Sequence, residues 1–424
     1  MKILMLGWEF PPFFAGGVGI VCYELTKALS HIKDLEITYI MPYGPKDANK
    51  SNKTNHLNLL VANNNSFEQN INIKIETIDT IFKAYMSPEE YMKAYEDSIT
   101  CNDTKAIELY GKNLYLEVER YAQKVKEIVK NQQFDAIHVH DWMTIPAGIL
   151  AKEYLNCPLI LHVHNTVYDR YLGEGCGHEK AIEIAGCKNA NLIISISNKI
   201  KQTLIEKYNT EENKIRLVHN GGITDIKKYF TQYKISTKET KYVLFAGRTV
   251  LQKGPEYFVR TAQKVLEYEP DTKFIVAGSG HMLPQCIELS AQLGISKNIY
   301  FHGFFTREEA DKFYTMADIF VMPSISEPFG IVPLEAISKG TATIISKQSG
   351  ISECLYNCFK VDFWDIDETA NKIISLLRYE PLHTHMRHSA YHEFDNFTWE
   401  KPAQKIHNIY KEAIQNYKNI LLNN

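Results

Sequence analysis

The chain has 424 residues, 45% of them hydrophobic and 23% charged, with a formal net charge of -3. That length exceeds one ordinary core, so two domains are expected. The balanced charge excludes a nucleic-acid binder held by bulk electrostatics, and no apolar run approaches the roughly 18 residues of a membrane span, so no stable membrane insertion is expected. Lys2-Ile-Leu-Met-Leu-Gly7 reads as a first buried strand. It runs into Trp8-Glu9 and is too short for a signal peptide. Eight cysteines form no Cys-x-x-Cys pair. Cys354 and Cys358 could share a helix face, but the set reads as reduced thiols of a cytoplasmic protein.

The loop Trp8 to Gly19 carries Gly16-Gly17-x-Gly19, and Val18, Val21, Cys22, Leu25 and Leu29 then recur at helical spacing. The glycine interval differs from the dinucleotide fingerprint, yet Gly-Gly before a helix lets the backbone approach an anion. Glu36 to Pro42 is a second strand. Residues 43–104 lose periodicity around Asn63-Asn-Asn65 and read as a variable insertion with short strands near Leu57–Val61 and Ile71–Ile78. Ala106 to Asn131 predicts a charged amphipathic helix. Ala136 to Val139 reads as a strand before His140-Asp141-Trp142, and Pro158 to Asn165 has the same layout of a strand with a polar end, His164-Asn165. In the pairs His138-x-His140 and His162-x-His164 alternate residues point the same way and could share an ion. Hydrolase zinc motifs that open this way continue with Asp two places on and His just after; here Asp141 follows His140 directly, so no metal is expected.

Asn191 to Ser197 and Lys214 to His219 are further strands around a helix, Asn198 to Tyr208. Asn220-Gly-Gly222 is a closing turn, and polar residues 223–240 read as a linker. A second series opens with Tyr242 to Arg248, a strand ending in arginine, then Lys253-Gly254 and a helix from Pro255. Arg248 and Lys253, between a strand end and a helix start, form a phosphate clamp of fork and point charge. Lys273 to Gly278, Ile299 to Gly303, Asp318 to Met322 and Thr341 to Ile345 alternate with helices, which predicts a parallel, doubly wound sheet. Glu327-Pro-Phe-Gly-Ile-Val-Pro-Leu-Glu335 follows the strand at Met322. Pro333 places a helix start between Gly330 and Pro333, and Gly340 ends that helix. Two carboxylates thus bracket a helix start at the carboxyl end of a strand, where open α/β sheets bind ligands. Ser349-Gly350 makes a turn beside it, and Phe397 to Trp399 leads into a last helix, Glu400 to Leu422.

The two glutamates flanking seven residues, with the Gly-Arg…Lys-Gly segment and the glycine loop in the same order, resemble the retaining glycosyltransferases of the GT-B fold. The His-Asp-Trp and His-Asn runs are similar to those of glycogen and starch synthases within that superfamily. The resemblance covers the chain outside residues 43–104. It implies an α/β fold of two Rossmann-like doubly wound domains facing across a cleft, with the C-terminal helix crossing back onto the first. The division implied is an acceptor domain at residues 1–222, a linker at 223–240, a nucleotide-sugar donor domain at 241–395 and a helical tail at 396–424. By the same match, Glu335 holds the nucleotide ribose and Glu327 lies against the donor sugar. Arg248 and Lys253 hold the diphosphate, helped by Gly16, Gly17, Gly330 and Ile331. Asp141 lies near both sugars, and His164 reaches the donor sugar from its front face.

The expected reaction is transfer of glucose from ADP- or UDP-glucose to the non-reducing end of an α-glucan, with retention and with no cofactor or metal. The aromatics Trp8, Phe13, Phe14 and Trp142 are expected to be exposed along the acceptor wall, able to stack on sugar rings. Two departures pull away from bacterial ADP-glucose glycogen synthases: Phe14-Ala-Gly-Gly17 lacks their lysine, and Glu335 stands where they usually have tyrosine. The alternatives are a transferase building a lipid-linked or cell-envelope glycan, a GT-B nucleotide-sugar epimerase, and a metallohydrolase built on the histidine pairs.

Overall fold

Two parallel sheets lie in series along the chain. The computed structural model describes residues 1–10, 17–42, 73–77, 114–173, 175, 177–222 and 240–423. The first sheet takes β1 (Lys2–Leu6), β2 (Glu36–Met41), β3 (Ile73–Thr77), β4 (Ala136–His140), β5 (Leu159–Val163), β6 (Leu192–Ser195) and β7 (Ile215–Leu217) in the order β3-β2-β1-β4-β5-β6-β7. The second takes β8 (Tyr242–Ala246), β9 (Lys273–Ala277), β10 (Ile299–Gly303), β11 (Ile319–Met322), β12 (Ala342–Ser346) and β13 (Phe359–Val361) in the order β10-β9-β8-β11-β12-β13. Every pairing is parallel. Strands such as Ala136–His140 and Leu159–Val163 are buried at all positions because helices cover both faces, which is why they read as continuous apolar runs.

The order reverses beside β1 in the first sheet and beside β8 in the second, so each has a switch point where the connections part and leave a crevice at the strands' carboxyl ends. The glycine loop follows β1, Asp141 follows β4, Arg248 and Lys253 follow β8, and Glu327 follows β11. Those are the strands beside the two switch points.

The helix Glu400–Asn423 returns to the first sheet. Trp399, Ala403, Ile406, Ile409 and Tyr410 join Ile3, Met5, Ile37, Ile160 and Ile194 in one core with the helix Gly17–Ser30. Ile406 and Ile409 are 1% and 5% exposed, and burial on that scale is worth about 1.5–3 kcal/mol for each side chain. The tail is therefore part of the first layer.

The helix expected from Ala106 is seen as Leu114–Val129, and the strand expected near Ile71–Ile78 as β3. The strand at Leu57–Val61, the linker up to residue 239 and the loop carrying Phe13, Phe14 and Gly16 lie outside the described residues. Among the described residues no helix is long and apolar enough to cross a membrane.

Candidate active site

The central motif forms between β11 and the helix Val332–Ser338. Glu327 bridges to Ser349, its amide donating to Gln348 (3.1 Å) and its carbonyl accepting from Gly350 (2.9 Å). The Ser349-Gly350 turn is thus zipped to the motif. Gly330 has φ +99, and a Cβ there would sit 3.0 Å from Glu327 Cγ, so the turn that aims Glu327 needs glycine. Glu327 is 7% exposed, and its Oε2 pairs with Lys253 Nζ and accepts from Ser324 Oγ at 3.4 Å. Lys253 closes a short 3-10 turn before Gly254, which has φ +65. A side chain at Gly254 would lie 2.2 Å from the Pro323 carbonyl oxygen. That close backbone approach brings Lys253 beside the motif.

Arg248 stands exposed beyond the carboxyl end of β8. Glu335, in the first turn of its helix, accepts from Tyr314 Oη at 2.9 Å and faces Arg307 Nη1 at 3.4 Å. Burial pushes the Glu335 carboxyl up, against the pull of Arg307 and Tyr314. Across the cleft, a Cβ at Gly17 would stand 3.4 Å from Ile331 Cδ1, so the start of the first helix abuts the central motif.

The four histidines lie along β4 and β5 toward their carboxyl ends. The register of these two strands pairs His140 with His162, which puts His138, His140, His162 and His164 on one face. All four are buried. His138 Nδ1 meets Tyr410 Oη at 2.7 Å and its Nε2 meets His162 Nδ1 at 3.2 Å; His140 Nδ1 meets His164 Nε2 at 2.8 Å. Burial holds His138 and His164 neutral, with pKa values pushed down to about 3. Burial and the neighbouring rings push His140 and His162 well below the usual histidine range.

Ring nitrogens of His138, His140 and His162 lie within 4.8 Å of one another, so the fold assembles three imidazoles that the local spacing had set apart. Among the described residues no carboxylate or thiolate belongs to that group, and both His138 nitrogens are engaged within the protein. The arrangement is that of a hydrogen-bonded histidine ladder.

Asp141 follows His140 directly. Its backbone, φ 58 and ψ 179, lies in a region that non-glycine residues rarely enter. The strained turn aims Oδ1 at the amides of His164 (2.6 Å) and Asn165 (3.2 Å). Burial pushes its carboxyl up to about 7 despite those bonds. Its side chain braces the His164 loop.

Two expectations are corrected. Trp8 and Trp142 are 5% and 4% exposed, not stacking platforms. Trp8 packs edge-on against Tyr121 at 5.5 Å, and Trp142 lies 6.0 Å from Tyr115 under the Arg170 guanidinium. Both fill the space beneath the helix Leu114–Val129.

A further set of contacts joins the two sheets, and sequence reasoning does not single it out. Glu353 accepts from the amides of Asn198 (2.8 Å) and Lys199 (2.9 Å), at the start of the helix Asn198–Tyr208, and from His219 Nε2 at 3.2 Å. Ser197 Oγ donates to the Pro328 carbonyl at 2.7 Å. Lys199 Nζ reaches Asp169 Oδ1 at 2.7 Å, and Ser326 Oγ donates to the same oxygen at 2.7 Å. Burial opposes ionisation of Asp169, but Lys199 and the hydroxyls of Ser326 and Thr166 outweigh it and hold the carboxyl low. The only hint was the capping sequence Thr166-x-x-Asp169, which fixes that carboxylate at a helix start.

Residues 2–213, half of the chain, match the starch synthase catalytic domain, and residues 225–393 match the glycosyl transferases group 1. An uncharacterized glycosyltransferase of Methanocaldococcus jannaschii is 27% identical over 98% of this chain and 99% of its own. A D-inositol 3-phosphate glycosyltransferase of Corynebacterium diphtheriae is 25% identical over 72% of this chain and 77% of its own. In fold, sucrose-phosphate synthase of Thermosynechococcus elongatus matches with a TM-score of 0.73 at 18% identity, covering 97% of this chain and 98% of that one. The catalytic domain of Arabidopsis thaliana starch synthase IV matches with a TM-score of 0.70 at 16% identity, covering 98% and 99%. The chain belongs to the GT-B glycosyltransferases, joining a starch synthase catalytic domain to a glycosyl transferases group 1 domain.

Proposed function

We propose that the protein transfers glucose from ADP- or UDP-glucose to the non-reducing end of an α-glucan, with retention at the anomeric carbon and without a metal ion. The observation that carries this reading is the convergence of Lys253, Glu327 and Ile331 with Gly17 at the two switch points. The barrier is departure of the diphosphate while an oxocarbenium-like centre develops, so catalysis needs positive charge at the leaving oxygens and negative charge or dipoles at the sugar. Arg248 and Lys253 take the diphosphate, with the backbone at Gly16, Gly17, Gly330 and Ile331. Glu335 takes the ribose. Glu327 and His164 line the sugar, and Asp141 holds the His164 loop in place. No second carboxylate stands beside Glu327 in the described motif as a nucleophile, which favours front-face attack. Residues 1–222 then serve the acceptor and 241–395 the donor.

A starch synthase IV neighbour is described as bound to ADP and acarbose, and an Anabaena neighbour as bound to UDP and glucose, which support these donors. The test is labelled ADP-glucose or UDP-glucose incubated with glycogen or maltooligosaccharides, followed by α-amylase digestion. Label released by amylase supports the reading. The relatives named for D-inositol 3-phosphate favour a second one, a small polar acceptor, so that compound belongs in the panel. Transfer only to it, or from GDP-mannose or an N-acetylhexosamine donor to a lipid, would overturn the glucan assignment.

A further inference from the structure

We propose that His140 is a positioning residue for His164, fixing through one ring-to-ring hydrogen bond both the rotation and the tautomer of the histidine that meets the transferred sugar. The inference rests on the hexosyl-transfer reading of the same site and adds a residue which that reading does not use. The two rings are nearly parallel, 13° between planes, with His140 Nδ1 2.8 Å from His164 Nε2. That contact consumes one nitrogen of each imidazole. The remaining nitrogens, His164 Nδ1 and His140 Nε2, are buried and have no hydrogen-bond partner among the described residues.

A neutral imidazole carries one N–H and one lone pair. If His164 donates to His140, its Nδ1 is a bare acceptor; if it accepts, its Nδ1 bears the proton. Either way a single atom of His164 is left to bind, and its character is tied through the bond to the tautomer of His140.

The rest of the ladder holds His140 still. His138 stacks on it at 4.4 Å, and His138 is tied to Tyr410 of the C-terminal helix at 2.7 Å and to His162 at 3.2 Å. His162 lies 4.1 Å from His164 in turn. Asp141 fixes the His164 backbone amide at 2.6 Å, so ring and backbone are constrained from separate directions. Beside a sugar that gains positive charge, an uncharged ring is required, because an imidazolium would repel the transition state. Burial keeps His164 uncharged down to about pH 3. What His140 adds is direction, so that a sugar hydroxyl finds one aimed partner and not a rotating ring.

The experiment combines [15N]histidine two-bond 1H–15N spectra of the free protein at pH 7.5 with steady-state kinetics. In the native protein His164, assigned by comparison with His164→Asn, should show the pattern of one neutral tautomer. A time-averaged mixture would overturn the proposal without any further variant. In His140→Leu, which keeps apolar bulk and removes the bond, the His164 signals should move to a mixed pattern. The kcat should then fall about ten- to hundredfold, with KM for the nucleotide sugar within about threefold. His140→Asn, whose amide can replace Nδ1, should recover most of the kcat and the single-tautomer pattern. Unchanged His164 signals in His140→Leu, or an unchanged kcat, would overturn it. The spectra need no substrate. A locked His164 that follows His140 in a protein moving no sugar therefore rejects the transfer reading and keeps the pair.

Discussion

Replacing Asp141 with asparagine should stabilise the protein near neutral pH, and the gain should vanish in acid. The buried carboxyl has its pKa pushed from 3.8 to about 7, so between those values the native state holds a proton that the unfolded state has released. Stability contributed by this group is therefore lost as pH rises through that window. With 1.36 kcal/mol per unit, the ionisation penalty is about 1 kcal/mol at pH 4.5 and about 4 kcal/mol at pH 7.5. Asp141→Asn removes it while keeping an oxygen for the His164 and Asn165 amides and a side chain tolerant of the turn. Any weakening of those two bonds is independent of pH and cancels when the two pH values are compared. The difference in unfolding free energy should thus grow by about 3 kcal/mol between pH 4.5 and 7.5, which for a domain of this size is about 6–12 °C in Tm. The assay is thermal melting of both proteins across that range. A gap that stays constant, or narrows as pH rises, would refute the argument. A carboxylate kept at such a cost on a strained backbone is the mark of a site selected for something other than stability.

Three further outcomes follow from the same geometry. His162→Leu should flatten the acid limb of stability: its folded pKa is depressed, so its contribution is present above about pH 6.5 and lost as pH falls, by up to about 1.4 kcal/mol per unit; denaturation midpoints at pH 7 and 5 measure this, and an unchanged slope is the contrary result. Arg248→Ala and Lys253→Ala should each lower kcat by on the order of 10². Lys253→Ala should also lose about 1–3 kcal/mol of stability, because Glu327 is left nearly buried and unpaired; adding Glu327→Ala should restore the stability and not the rate, and recovery of both would mean that Lys253 serves only to neutralise Glu327. Activity should survive excess chelator, with metal content well below one per chain by elemental analysis; loss of activity restored by Mn²⁺ or Zn²⁺ would turn the ladder of His138, His140 and His162 into a metal centre.

Much of the scaffold was legible because it depends on local chemistry. Continuous apolar runs such as Ile319–Met322, short and alternating with helical segments, read as strands buried on both faces. The helix Asn198–Tyr208 is bounded by Ser197, whose hydroxyl caps Ile200, and by Asn209 in the left-handed region. Pro333 fixed the start of the helix Val332–Ser338 by the same kind of local constraint. What stayed hidden depends on partners far along the chain. Trp142 reads as exposed because it follows a strand end, and the helix Leu114–Val129 and Arg170, brought over it from elsewhere in the chain, bury it. The histidine ladder needs the register of β4 against β5, which no local pattern states. Glu353 seems an ordinary turn glutamate until Asn198 and Lys199, more than 150 positions earlier, present their amides to it.

Three of the cations around the cleft are matched with carboxylates of the protein itself. Lys253 is spent on Glu327, Arg307 faces Glu335, and Lys199 is spent on Asp169. On the proposed reading a diphosphate must then draw Lys253 away from Glu327 or reach it alongside, and Glu327 loses its counter-charge at that moment. A carboxylate 7% exposed, with only Ser324 Oγ at 3.4 Å as a further side-chain partner among the described residues, is poorly satisfied once Lys253 leaves. The positive charge that develops on the sugar is what would satisfy it. Binding energy of the diphosphate is thus converted into an unbalanced negative charge at the reacting carbon, realised most fully in the transition state. The segment carrying Glu327, Ser326–Gly330, and the Ser349–Glu353 turn zipped to it are fastened to the first sheet's loops through Ser197, Lys199 and His219. Whatever moves Glu327 therefore pulls on the contacts that hold the two halves together.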